Sequence, residues 1–534
     1  MMLAHQCSAR AYLAVLVAVL LTVLLLTAHR LHNGSSIGLP TLTDGGRKNA
    51  GADHKDPQRP PSTESSKAPP GTAAGGSSGG SAPAFCDQDW NLLRSKDLDL
   101  SENVVYTRRC VKPAYGNVNR DAVASVAGPL ISGTTTLNLK AECAHLTPPP
   151  CEPLTLEVPP TYPPPEGQYS HLVFGIASSY ERVQESLPSF AHWLAGTGAQ
   201  LVAVVSDADE APKPNLRALE TLYRNHHVNA TIIAPKQKES LPRINTKEDE
   251  KLRRPAAVEQ LHFLLIRDML DIATPQTQWL GVLDDDTFFP AMHPLDLALR
   301  QHDHTKQVWL GALADNWVSV KIWGFMAYGG AGTFLSMPLA RQLEPHLEAC
   351  VRETDISSGD GMLRDCVYSR STTKLTLVEG LYQHDFMGDA SGFFESGRRA
   401  LSLHHWKSWY SAPVPLMAAI TDVCGDCFLQ RWRFGKDTLL ANGYSITVYR
   451  EGLDSLLLDR MEGTFNEADG RFDFIYGPFR PRLGNDQKKS YRLKAVDGGT
   501  ARGDHFRQVY VHRAKRDEEG TKPVDEVVEL VWEV

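Results

Sequence analysis

Between residues 169 and 313 the apolar positions alternate between two patterns. Short, mostly apolar runs at 171–177 (HLVFGIA), 201–205, 228–233, 279–283 (WLGVL) and 308–313 read as strands. Between them the apolar residues recur every three or four positions. Val183, Leu187, Phe190 and Leu194 do so over 181–195, and Leu216, Leu219 and Leu222 follow. Val258, Leu261, Leu265 and Met269 continue the pattern after Pro255, a residue type favoured at the first position of a helix. Strand and helix in alternation predict an α/β domain, a mostly parallel sheet with helices on both faces. After residue 412 the pattern changes. Runs at 445–449, 472–475, 508–511 and 527–534 look like strands and predict a β-rich C-terminal section, with a charged loop at 515–522.

The N-terminal third is organised differently. Residues 11–28 carry no charged side chain and are mostly Leu, Val and Ala, long enough to cross a bilayer as a helix. The stretch exceeds a signal-peptide core and no small-x-small cleavage site follows it, which favours an uncleaved signal anchor. Arg10 and Arg30 flank it evenly, so orientation follows from the bulk of the chain lying after it: a cytoplasmic tail over 1–10 and a lumenal body. Residues 31–84 are rich in Gly, Ser, Pro and Ala and read as a stem. Residues 85–165 form a cysteine-containing module ending in two proline clusters, 169–411 the α/β domain, and 412–534 the C-terminal section.

Eight of the nine cysteines follow the apolar stretch, an even number that in an oxidising compartment suggests disulfides. Cys86, Cys110, Cys143 and Cys151 are able to pair among themselves and Cys350 to close a short loop with Cys366, but spacing alone leaves the connectivity open. Cys424 and Cys427 have redox-motif spacing without redox-motif context, so a structural disulfide is expected there. Asn229 and Asn33 head glycosylation sequons. Hydrophobic content of 42% and charged content of 22% are those of a globular protein. A net charge of −8 with no basic block gives no support to a nucleic-acid surface.

The candidate chemistry begins at Asp284, Asp285 and Asp286, directly after the apolar run 279–283. A buried strand ending in adjacent carboxylates puts hard oxygen ligands at the carboxyl edge of the sheet, where open α/β sheets bind ligands. Such ligands suit Mn²⁺ or Mg²⁺, ions that also hold substrate phosphates. A solvated acidic turn is the competing reading. Asp207 and Asp209 also follow a strand and form a rival pair.

Three later segments add to the triplet. Residues 328–332 (YGGAG) permit close backbone approach to a ligand or a tight turn, with Trp317 and Trp323 nearby. Asp360 precedes a short helical pattern and is either a general base or a helix cap, capping being the plainer role. His404 and His405, followed by Trp406, offer an imidazole to a carboxylate site. In a strand adjacent side chains point to opposite faces, so one of the two at most is expected to face it.

Taken in order, residues 279–289 (WLGVLDDDTFF), 323–336 (WGFMAYGGAGTFLS), 358–367 (SGDGMLRDCV) and 401–409 (LSLHHWKSW) resemble glycosyltransferase family 31, in its Fringe-like branch with fungal Golgi type II members. The resemblance spans roughly residues 169–410. It implies a GT-A fold, a UDP-sugar donor, Mn²⁺ (or Mg²⁺), and inversion to a β-linkage, β1,3 among the candidates, on a glycan or glycoprotein acceptor. By position it makes Asp286 the direct metal ligand, with Asp284 beside it and Asp285 toward the nucleotide. It makes Asp360 the catalytic base and places His404 or His405 on the metal. Ser178, Ser179 and Arg182 fall where the family holds the nucleotide, and Gly330 and Gly332 where backbone meets sugar. The Fringe-like pattern has two adjacent acids at the base, whereas this chain has Gly359 before Asp360. The resemblance further implies a Golgi membrane location. Two competing functions are a silent, lectin-like or chaperone glycan binder and a metal-dependent phosphohydrolase. The former need not keep Asp286, Asp360 and the histidines together. The latter wants ligands for two metals.

Overall fold

The computed structural model describes residues 90–141, 149–244, 254–465, 471–498, 505–514 and 524–534. The expected anchor, the stem, Cys86, Cys143, the sequon at Asn33 and the charged loop at 515–522 lie outside these residues. Among the described residues no helix is long and apolar enough to cross a membrane.

The α/β region is built on a seven-stranded sheet. Across it the strands run Leu375–Leu377, Trp309–Gly311, Thr333–Ser336, Trp279–Val282, Leu172–Ser178, Gln200–Val205 and Asn229–Ile233. Leu172–Ser178 is buried at every position and lies parallel to both neighbours. Its period-two alternation feeds two cores. Leu172, Phe174 and Ile176 join one with the helix Tyr180–Leu194, through Val183, Leu187, Phe190 and Trp193. Val173 and Ala177 join the other with the helix Val258–Ile272, through Leu261, Leu265 and Met269. Each such side chain gains about 1.5–3 kcal/mol on burial. Gly175 lets that second helix approach, since a Cβ there would meet Met269 Sδ at 2.9 Å.

Strand and helix positions agree with the sequence pattern, with informative exceptions. Pro255 does not open the long helix. It bridges Glu239, and the helix starts at Val258 after Ala257. Thr333–Ser336 is a strand that runs antiparallel to both neighbours inside an otherwise parallel sheet. Residues 472–475 are not a strand. Asp473–Tyr476 is one helical turn ended by Gly477 at φ 74°, and Phe472 and Tyr476, four apart, stack on its buried side.

The cysteine-containing segment and the C-terminal section, distant in sequence, share one ten-stranded sheet. Asn103–Tyr115 runs parallel to Asp525–Glu533, and Val123–Val126 parallel to Arg431–Phe434. Cys110–Cys151 ties Asn103–Tyr115 to Glu152–Val158, and Cys424–Cys427 is also a disulfide.

Cys350–Cys366 fastens the helix Leu347–Glu353 to the helix Gly359–Arg370, whose first turn carries Asp360. It closes a loop with a sequence separation of 16. Cys350→Ala with Cys366→Ala is expected to cost about 3 kcal/mol of stability by chain entropy. A lowered urea midpoint against the parent protein measures it.

Candidate metal and transfer site

The order of the strands creates the site. The chain lays down Leu172–Ser178, moves outward through Gln200–Val205 and Asn229–Ile233, then returns to the other side with Trp279–Val282. The strand order reverses between Leu172–Ser178 and Trp279–Val282, and ligands bind at the carboxyl ends of strands at such a switch point. Ser178 ends one strand and the aspartate triplet follows the other. Because Thr333–Ser336 is antiparallel, with Thr333 opposite Val282, the glycine segment before it arrives at the same edge. A bridge between Phe288 and Leu403 brings His404 there as well.

The three carboxylates have different partners. Asp285 is gripped by the Arg182 guanidinium and accepts the Ser178 hydroxyl. Its carbonyl accepts Ser186 Oγ at 2.9 Å. Ser179 caps the Tyr180–Leu194 helix. Asp286 and Asp284 turn instead to His404, whose Nε2 lies 3.0 Å from Asp286 Oδ1 and 3.2 Å from Asp284 Oδ2. The other Asp284 oxygen lies 3.2 Å from His262 Nε2. Burial alone would raise both carboxyls. The imidazoles outweigh it, holding Asp284 well below and Asp286 below the usual carboxylate range. Trp406 is buried, and its indole N–H donates to the Asp286 carbonyl at 2.7 Å, so it fixes the aspartate turn.

His404 Nδ1 lies 3.0 Å from the Gln383 carbonyl, which only an N–H can satisfy. Its Nε2 therefore faces two carboxylates either as an imidazolium or as a lone pair sharing a cation with them. The spacing fits the cation. Neighbouring ligands of a six-coordinate ion with bonds of about 2.1 Å are about 3.0 Å apart. Nitrogen in the set suits Mn²⁺ better than Mg²⁺. The carbonyl behind Nδ1 is the outer partner that metal-bound histidines usually have. Gly330 makes the arrangement possible, since a Cβ there would fall 2.2 Å from the His404 ring. Gly329 likewise clears Asp360 Oδ1, which a Cβ would meet at 2.8 Å. Gly332 takes φ 94°. These glycines seat side chains of the site, whereas the sequence suggested backbone open to a sugar.

His405 departs from the strand rule. Its φ of 57° breaks the extended run, so its ring lies on His404 at 3.7 Å and parallel to Trp409 at 3.9 Å. Ligand atoms of Asp286, His404 and His405 fall within 4.8 Å of one another. His405 Nε2 faces Asp385 Oδ1 at 3.8 Å, and burial beside charged His404 pushes it down to about 3.

Asp360 does not cap its helix. Ser358 does, accepting the Gly361 N–H at 3.1 Å. Asp360 Oδ1 is buried without a hydrogen-bond partner. Burial pushes its carboxyl up to about 6, with Asp284 adding to the rise and His262 opposing it. The rival pair has structural work. Asp207 accepts the Tyr180 N–H at 2.8 Å, and Asp209 pairs with Lys238 and Lys213 on the surface.

Sequence reading missed four members of this neighbourhood. His262 sits in a run of buried apolar residues, and a polar side chain there was the available signal. Asp284 and Asp360 hold it charged against the effect of burial, up to about 9. Gln383 and Asp385 precede the histidines. Burial pushes Asp385 up to about 6, and its Oδ2 has no partner. Lys407 Nζ reaches Ser186 Oγ at 3.1 Å beside Asp285.

A family model described as a protein of unknown function, DUF604, matches residues 320–422, which hold the glycine segment, Asp360 and both histidines. No curated protein matches. Among solved structures, a mannosyltransferase from Pyrobaculum calidifontis in complex with GDP-Man and Mn²⁺ is 13% identical, with TM-score 0.25, over 41% of this chain and 59% of its own. Mouse xyloside xylosyltransferase 1 is 10% identical, with TM-score 0.25, over 39% and 84%. The galactosyltransferase LgtC is 12% identical, with TM-score 0.27, over 45% and 87%. At these scores the likenesses are distant.

His404 is held charged well above the usual imidazole range by Asp286 and Asp284, against burial. A metal bound at its Nε2 would displace that proton. Mn²⁺ binding at pH 7.5 is therefore expected to release about one proton, and affinity is expected to fall as pH is lowered. Calorimetry in two buffers of different ionisation enthalpy measures the release. Gly330→Ala is expected to weaken Mn²⁺ binding by about 10–100-fold by displacing the imidazole.

Proposed function

We propose that this chain is a metal-dependent, inverting glycosyltransferase that moves a sugar from a UDP-sugar to a hydroxyl of a glycan or glycoprotein, forming a β-linkage. The observation that carries the reading is the pairing of two features at one sheet edge. One is an Asp286–His404–His405 set whose ligand atoms lie within 4.8 Å of one another, with Asp284 Oδ2 3.2 Å from His404 Nε2. The other is Asp360, a buried carboxylate with an unpartnered oxygen and no capping duty. The matched family is associated with glycosyltransferase family 31, which agrees with the order of motifs in the sequence. The apolar stretch 11–28 and the stem after it fit a type II Golgi membrane enzyme with a lumenal body.

Each residue then has a task. Asp286, His404 and His405 would hold Mn²⁺, with Asp284 beside them against His404. When bound, the ion neutralises the diphosphate as UDP departs. Asp285 orients Arg182 at the nucleotide side, and Lys407 adds a cation there. Asp360 takes the proton of the acceptor hydroxyl as its oxygen attacks the anomeric carbon from the face opposite UDP. A carboxyl pushed up to about 6 is a stronger base than an exposed aspartate and is still mostly ionised at neutral pH.

The protein with Mn²⁺ is expected to hydrolyse one UDP-sugar slowly and to turn it over faster with an acceptor. Silence across a UDP-sugar panel together with no UDP binding by calorimetry overturns the reading. Asp286→Ala should lose metal-dependent UDP binding. Asp360→Asn should keep UDP binding and lower transfer by about 10²–10⁴-fold; undiminished transfer would remove Asp360 from the role of base.

A further inference from the structure

A crevice of about 1040 Å³ opens beside the Met292–Leu299 helix, and none of Asp284, Asp286, Asp360 and His404 lines it. Its walls come from that helix, the strand edge at Val123, the segment 377–382, the turn 396–399 and Arg431. The volume is at the upper end for small-molecule sites, so it suits a ligand larger than one sugar ring.

The lining has an unusual mixture of chemistry. Tyr162 and His293 present rings 5.2 Å apart, and Leu297 is 50% exposed at the mouth. Arg398, Arg399 and Arg431 are interleaved with Asp121, Glu379, Asp426 and Asp459. Arg399 is paired with Asp426 at 2.8 Å. Arg431 is buried, and its guanidinium donates to two backbone carbonyls, Leu458 at 2.6 Å and Asp121 at 3.2 Å. Arg398 donates to the Tyr476 carbonyl. Glu379 and Asp459 stand exposed at the rim. A polyanion entering would meet those two carboxylates, and a polycation would meet the arginines. A lining that carries both signs of charge beside an aromatic pair matches a ligand that is uncharged and rich in hydroxyls.

We infer that this crevice binds a neutral oligosaccharide, a second carbohydrate site apart from the metal centre. It rests on the transfer reading only in taking that oligosaccharide as an arm of the acceptor. The wall segment ends at Tyr382, and the next residue, Gln383, supplies the carbonyl that orients His404, so the two sites share one stretch of backbone.

The test uses the full chain in detergent, with EDTA and without UDP. The probes are neutral tetrasaccharides of mannose, galactose, glucose and N-acetylglucosamine, a sialylated oligosaccharide and a heparin tetrasaccharide. At least one neutral probe is expected to bind with Kd below about 1 mM by calorimetry. Glu379→Ala and Gln301→Ala, both in the crevice lining, should each weaken it by about threefold or more, and the mouth-filling Leu297→Trp should abolish it while leaving Mn²⁺–UDP binding intact. Asp286→Ala should leave oligosaccharide binding unchanged, which separates this inference from the transfer reading. Binding by no neutral probe, binding by the charged probes alone, binding untouched by Leu297→Trp, or binding lost in Asp286→Ala each overturns it.

Discussion

The site depends on where the charge of three adjacent carboxylates goes. Two like charges 4 Å apart at a protein surface repel by about 4 kcal/mol. The fold divides the problem. Asp285 is turned away to Arg182 and Ser178, while Asp284 and Asp286 share the one imidazole of His404. Much of the surrounding structure serves to keep that imidazole in place. The Gln383 carbonyl fixes its ring, Gly330 vacates the space it fills, and the Trp406 indole holds the Asp286 backbone. An acidic strand end thereby becomes a site that calls for a cation.

The C-terminal section bears on the site through packing. The segment that carries Gln383 and Asp385 is embedded in an aromatic cluster. Phe386 stacks on Phe465 at 4.7 Å, and His384 meets Phe393 at 4.5 Å. Just beyond, Glu395 is fully buried and accepts Ser445 Oγ at 2.9 Å and Arg492 at 2.8 Å, both from the ten-stranded sheet. Removing one member of a buried ion pair leaves an uncompensated charge, so this contact ties the sheet firmly to the site's supporting wall. The large β-structure reads as the brace that makes the His404 position rigid.

The α/β alternation was legible because strands such as Leu172–Ser178 are buried on both faces and the helices between them are amphipathic. The aspartate triplet was legible because an apolar strand precedes it. The shared ten-stranded sheet was not, since pairing Asn103–Tyr115 with Asp525–Glu533 is a tertiary choice that leaves no local pattern. His262 stayed hidden for a related reason: a lone histidine on a buried helix carries no motif, and its partner Asp284 comes from another element. The rule that neighbouring strand residues face apart failed at His405 because a single positive φ put both rings on one side.

The glycine at position 359 has a physical reason in that same hidden residue. A Cβ on Gly359 would lie 2.5 Å from His262 Nδ1 and 2.9 Å from the Glu259 carbonyl. Any side chain in that position is incompatible with His262 where it stands. The two positions are therefore physically coupled. With no side chain at Gly359, the space admits an imidazole that sits against Asp284 and opposes the effect of burial on Asp360. Asp360 is thus flanked by an imidazolium, which opposes the rise that burial imposes on its carboxyl.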